Sequence, residues 1–146
     1  MAALTSDRNT IAREGDTLSG PVAADARIFA GALLMRTVAG HLAPGAAVAT
    51  AIGAGRADIG ADNTGGSGGA IAVDWRRGTF RFENSGGSDT ITVADIGKLC
   101  YIVDDQTVAK TDNSAARSPA GVVEDIDGAD VWVRMDEALT RAMVQA

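Results

Sequence analysis

The chain has 146 residues, 46% of them hydrophobic and 18 of them Gly, with two Trp, one Tyr and three Phe. One domain of that size buries roughly 70% of its unfolded surface without needing a staple, and so aromatic-poor a chain argues against a deep, aromatic-lined ligand pocket. Thirteen basic and 19 acidic residues leave a formal charge of -6, and Arg76-Arg77 is the only adjacent basic pair, so no phosphate-tracking surface for nucleic acid is expected.

Residues 1–20 read as an extended arm. Leu4, Ile11 and Leu18 are its only large apolar residues and are too widely spaced for a strand or helix stripe. Thr5, Ser6, Asp7, Arg8, Asn9, Thr10, Arg13 and Glu14 make the rest polar, which fits either a frayed terminus or a segment that orders on a partner. No basic region followed by an apolar core opens the chain, so no secretory signal is expected.

From Pro21 the apolar period becomes two. Val22, Phe29, Leu33 and Leu34 lie in short runs broken by Gly20, Gly31 and Gly40, a pattern of short strands. The uncharged stretch Thr37 to Gly55 contains His41, Pro44 and four glycines, so it is rejected as a membrane span. A loop with five glycines runs from Gly60 to Gly69. Ile71, Val73 and Trp75 then share one face, and Phe80 and Phe82 share one after Gly78. The connection Arg76-Arg77-Gly78 predicts a hairpin between these two strands.

Asn84 to Asp89 forms a compact polar turn. Leu99 to Val103 and Thr107 to Ala109 read as strands on either side of a turn at Asp104-Asp105. A second hairpin has Val122, Glu124 and Ile126 alternating with Val123 and Asp125, a type I′ turn at Asp127-Gly128, then Val131, Val133 and Met135 on one face and Trp132 and Arg134 on the other. The one candidate helix is the tail from Asp136, with Leu139 and Met143 one turn apart, too short to be stable without docking. The expected fold is all-β: a small β-sandwich or β-barrel over 21–135, with an extended N-terminal arm (1–20) and a short, helical C-terminal tail (136–146).

Chemical motifs are weak. Cys100, the only cysteine, sits between Leu99 and Tyr101 as an ordinary strand residue, and no disulfide or thiolate zinc site is available to it. Gly65, Ser67 and Gly69 match a nucleophile elbow in spacing, but a strand follows where a helix is required. The only histidine, His41, has no second histidine to share a metal. Gly53, Gly55 and Asp58 fail the dinucleotide fingerprint, because Asp58 occupies the place of the third glycine. Glu124, Asp125, Asp127 and Asp130 read as a solvated hairpin tip rather than a calcium loop, with Ala129 where an oxygen ligand belongs. Asp104 and Asp105 point to opposite faces, which argues against an acid–base pair. No catalytic residues, cofactor or metal are expected.

The order of several blocks, rather than any one of them, carries a family resemblance. They are Leu4 to Thr10 with Arg13 and Gly15, Pro21 to Ala24, Ile28 to Leu33, Asp62 to Gly66 and Arg77 to Phe82. Tyr101 to Ala109, Arg117-Ser118, Ala120 to Val123 and Val131 to Val133 follow. Across residues 4–135 the chain resembles the capsid cement, or head decoration, proteins of tailed bacteriophages with Mu-like head modules. The resemblance implies a non-enzymatic β-rich virion protein, made in the bacterial host and bound to the outer capsid surface. There it stabilises contacts between subunits of the major capsid protein, often as a homo-oligomer (dimer or trimer), with no nucleic acid, membrane or small-molecule substrate. Thr5, Asp7, Arg8, Asn9, Thr10 and Arg13 become the first contact candidates, by hydrogen bonds or strand addition. Leu139 and Met143 are candidates for docking on a partner protomer. The competing expectation is a small β-sandwich adhesion module, for instance carbohydrate-binding, which would need exposed aromatics where most of these six look inward. A hydrolase using Asp104 or Asp105 ranks last.

Overall fold

A computed structural model describes residues 2–13 and 15–146; Met1 and Glu14 of the arm lie outside the described residues. The all-β expectation holds. Strands β1 (Leu18–Pro21), β2 (Arg27–Ile28), β3 (Leu33–Arg36), β4 (Leu42–Pro44), β5 (Ile52–Ala57), β6 (Ala61–Asp62) and β7 (Ala72–Arg76) make up the first half. Then follow β8 (Gly78–Asn84), β9 (Leu99–Ile102), β10 (Thr107–Ala109), β11 (Pro119–Asp127), β12 (Asp130–Met135) and the helix α1 (Glu137–Gln145).

The strands form an antiparallel five-stranded sheet in the order β1-β7-β5-β3-β4, a closed five-stranded barrel in the order β10-β8-β12-β11-β9, and a β2-β6 ribbon. A parallel pairing of β10 with β8 closes the barrel, so it has no free edge to invite aggregation. The first sheet curls on itself through the bridge from Val22 to Leu42.

Two apolar cores result, and β3 lies between them. Leu33 and Met35 point into the barrel-side core with Phe82, Cys100, Ile102, Val123, Val131 and Val133. Leu34, one residue out of phase, points into the other core with Val22, Leu42, Val73 and Trp75. A strand buried on both faces needs an uninterrupted apolar run, and Leu33-Leu34-Met35 supplies one. Gly53 and Gly55 on β5 allow the backbones to close up: a Cβ at either would overlap the carbonyl of Ala120 or of Arg76. That packing, not nucleotide binding, accounts for the Gly-x-Gly spacing.

Two local expectations are corrected. The strands flanking Arg77 do not form a hairpin. β7 pairs with β1 and β5, whereas β8 pairs with β12 and β10. Arg77 and Gly78 therefore carry the chain from the sheet into the barrel, with Gly78 at φ 152°. Val73 and Trp75 are buried in one core and Phe82 in the other, and that partition outweighs the local turn signal. The second hairpin does form, but Asp127 pairs with Asp130, so its loop is Gly128-Ala129. Of these two only Gly128 has positive φ (62°), the glycine-first pattern of a II′ turn rather than I′. A bulge between Val123 and Asp125 also shifts the register, so Val123 and Ile126 both reach the barrel-side core.

The tail is helical from Glu137. Asp136 caps it, accepting from the backbone N–H groups of Ala138 (3.0 Å) and Leu139 (3.2 Å). The helix packs on β5 and β11, with its own Thr140 fully buried.

Candidate interface

The exposed arm is shorter than the expected 1–20, because Leu18–Pro21 join the first sheet as β1. Thr5, Asp7, Arg8, Asn9, Thr10 and Arg13 are all exposed, and so are its apolar residues, Leu4 at 72% and Ile11 at 86%. Among the described residues, the one backbone bond within residues 2–13 is from Thr10 N to Arg8 O, at 3.0 Å. Their side chains make no hydrogen bond or ion pair with the body.

The chain becomes anchored at Thr17 and β1. Thr17 Oγ1 donates to Asp58 Oδ2 at 3.4 Å, and Leu18 pairs with Trp75. Asp58 also takes Arg76 Nε at 2.9 Å and Arg56 Nη2 at 2.8 Å. These guanidinium hydrogen bonds, Arg76 first, hold the Asp58 carboxyl below the usual carboxylate range. The arm thus projects from a fixed, charged root at one side of the first sheet.

At the other terminus, Leu139 and Met143 are half-buried, while Val144 is 55% exposed. Met143 with Val144 edges a shallow depression beside Tyr101 and Pro119.

The residues weighed for chemistry occupy structural positions. Cys100 is fully buried, and burial pushes its thiol up to about 12. The His41 ring lies against Gly68, where a Cβ would come within 2.5 Å of it. Asp104 Oδ1 accepts from Gln106 N at 2.9 Å to form the turn before β10. Asp127 and Asp130 both face Arg81, at 3.3 and 3.5 Å. Among the described residues, no three His, Cys, Asp or Glu side chains cluster in a way that would hold a metal ion, and no helix is long and apolar enough to cross a membrane.

The aromatics depart from expectation. Only Trp75 and Phe82 are buried; Phe29 is 60% exposed, and Phe80, Tyr101 and Trp132 are half-buried. Trp132 stands on the outer face of the barrel, directly across from Arg81. Its alternation with Val131 and Val133 already placed it there. The exposure of Phe29 had no such signal, because its run is interrupted by Gly31 and packs by loop geometry. Phe80 is held by the Arg56 guanidinium, 4.8 Å above its ring. Phe29, Phe80 and Trp132 line two adjoining depressions that meet at Gly31.

No family model, curated protein or solved structure matches this chain.

Proposed function

We propose that the protein is a structural cement protein of a tailed-phage head. It binds the outer surface of the assembled capsid as a homo-oligomer of two or three copies and stabilises contacts between major capsid protein subunits. The observation that carries this reading is the arm. Among the described residues, the polar extension 2–13, which exposes Leu4 and Ile11, makes no side-chain hydrogen bond or ion pair with its own body, yet it is rooted through Thr17 at Asp58 in a body with two packed cores. Fully extended, residues 2–13 reach about 40 Å, enough to cross from one subunit to the next. An exposed backbone also has free N–H and C=O groups for strand addition to a neighbour's sheet edge. One arm contact below about 1,000 Å² is marginal alone, and linking several arms in an oligomer raises the effective concentration at the capsid. The family resemblance over residues 4–135 and the acidic charge of -6 agree with an exterior position.

The test is to mix the purified full chain with undecorated, expanded heads and image them. Ordered extra density on the shell is expected, and a chain lacking residues 1–15 is expected to keep its fold and bind poorly. Bare heads with the full chain, or equal occupancy by the truncated one, would overturn the reading. The second reading, a carbohydrate-binding adhesion module on a virion, is favoured by one observation: Phe29 and Trp132 are outward-facing aromatics of the kind that stack on sugar rings. A glycan screen that quenches tryptophan fluorescence in the wild type but not in Trp132→Ala would select it.

A further inference from the structure

We propose that the face around Gly31 is a two-fold contact between copies of this chain, the Phe29 side chain of one copy seating in the arginine-lined cleft of the other. Phe29 is the one aromatic more than half exposed among the described residues. It is held outward: the Arg27 guanidinium lies 5.0 Å from its ring centroid and is itself tied to Asp62 at 2.7 Å. Ile59, 54% exposed, precedes Gly60, which packs against the Ile28 carbonyl, where a Cβ would lie 3.2 Å away. Phe29 is therefore a preset apolar knob.

A hollow adjoins the knob. Across Gly31 lies a shallow cleft walled by Arg56, Arg76, Phe80, Arg81 and Trp132. Gly31 itself has φ 86° and open space where a Cβ would stand, so the ridge between knob and hollow is as low as a backbone permits. Knob and hollow side by side on one face are self-complementary under a two-fold axis, which lets each copy fill the other's hollow and closes the assembly at two. Aromatic and Arg side chains are also the types that carry binding energy at the centre of such contacts.

The charges follow the same symmetry. On the knob side Asp105 is half-buried and has no ion-pair partner among the described residues, although it lines the depression next to Phe29. On the hollow side Arg56 and Arg76 share the single carboxylate of Asp58. Arg81, its side chain 53% exposed, stands at the outer wall, 3.3 and 3.5 Å from Asp127 and Asp130 of its own chain. The two-fold sets Asp105 of each copy against the arginine wall of the other, where Arg56 and Arg76 have one carboxylate between them and Arg81 stands at the rim. One aromatic anchor per copy makes this a weak contact, and the dimer is expected to dissociate at roughly micromolar concentration.

The proposal deepens the homo-oligomer part of the reading above and is independent of capsid binding; a dimer in the presence of bare heads, or decorated heads without a dimer, separates the two. Sedimentation equilibrium of the full chain over a micromolar concentration series is expected to give a monomer–dimer equilibrium. Phe29→Asp is expected to weaken it about tenfold or more without lowering Tm. Asp105→Arg and Arg81→Glu each set like charges across the two-fold and are expected to be monomeric alone. Mixed in equal amounts they pair with opposite charges at both contacts and recover a heterodimer, which also shows that each variant is folded. A wild type that stays monomeric or forms trimers, a Phe29→Asp dimer as tight as wild type, or charge variants that fail to recover on mixing would each overturn the proposal. So would loss of head binding in Phe29→Asp with self-association intact, which would assign the face to the capsid.

Discussion

Arg36 Nε donates to both carboxylate oxygens of Glu137 at 2.9 Å, joining β3 to the first turn of α1 across 101 residues of sequence. The contact is about three-quarters shielded on both sides, the two side chains being 25% and 23% exposed. Arg36 also donates through Nη1 to the Gly40 carbonyl at 3.0 Å and lies 5.5 Å from the Trp75 ring centroid. One guanidinium therefore holds the β3–β4 turn, the buried tryptophan and the helix in register.

The two partners are consequently not equivalent. A nine-residue helix does not persist by propensity, and Glu137 also complements the positive end of the helix dipole. Glu137→Gln is expected to cost about 1 kcal/mol. Arg36→Ala, which removes the hairpin and ring contacts as well, is expected to cost about 2 kcal/mol or more. Urea unfolding followed by tryptophan fluorescence measures both, and equal losses would contradict the three-way role of Arg36.

Cys100 supplies a pH dependence of known sign. Its buried Sγ donates to the Gly121 carbonyl at 3.7 Å, and burial raises its pKa from 9.0 to about 12. An unfolded chain ionises first, so the stabilisation is complete below about pH 9 and is lost as pH rises toward 12. Wild type is expected to lose urea stability over that window more steeply than Cys100→Ala. Native protein is also expected to resist iodoacetamide until denatured; rapid native labelling would contradict the burial.

A strained turn offers a stabilising change. Asn113, Ser114 and Ala115 are consecutive left-handed residues, with φ of 51°, 57° and 64°, closed by Ala116 N and Arg117 N donating to Asp112 O at 2.9 and 3.0 Å. Asp89 clamps the base, receiving the Thr111 hydroxyl and, at 3.2 Å, Arg117 Nη1. Those two groups, the hydroxyl first, hold the Asp89 carboxyl below the usual range. Asn tolerates this conformation and Ala does not. Ala115→Gly is expected to raise stability by about 0.5–1 kcal/mol and Ala115→Val to lower it, read as opposite shifts in Tm.

Much of this architecture was legible residue by residue. The alternation of Val131, Val133 and Met135 marked β12, the short apolar run with Leu33 and Leu34 after Gly31 marked a strand, and the tail from Asp136 with Leu139 and Met143 one turn apart marked α1. The exposure of residues 2–13 matches the lack of apolar periodicity from residue 4 to residue 15, whereas strand β1 at Leu18–Pro21 left no such mark. The Glu124 bulge was not legible, because an extra residue changes phase without changing composition. Nor was the fate of Arg76-Arg77-Gly78, where hairpin chemistry and a crossover between sheets use the same residue types.

Local spacing in the amino-acid sequence thus determined by itself an all-β chain with short strands and a short terminal helix. Each of these follows from local spacing and local hydrogen-bonding capacity. Only the tertiary structure decided which strands pair, that β3 serves two cores, and that Phe29, Phe80 and Trp132 gather around Gly31. Those outcomes depend on which distant apolar faces bury one another. Residues 50 or 100 positions apart carry no periodic trace of meeting until the backbone brings them together.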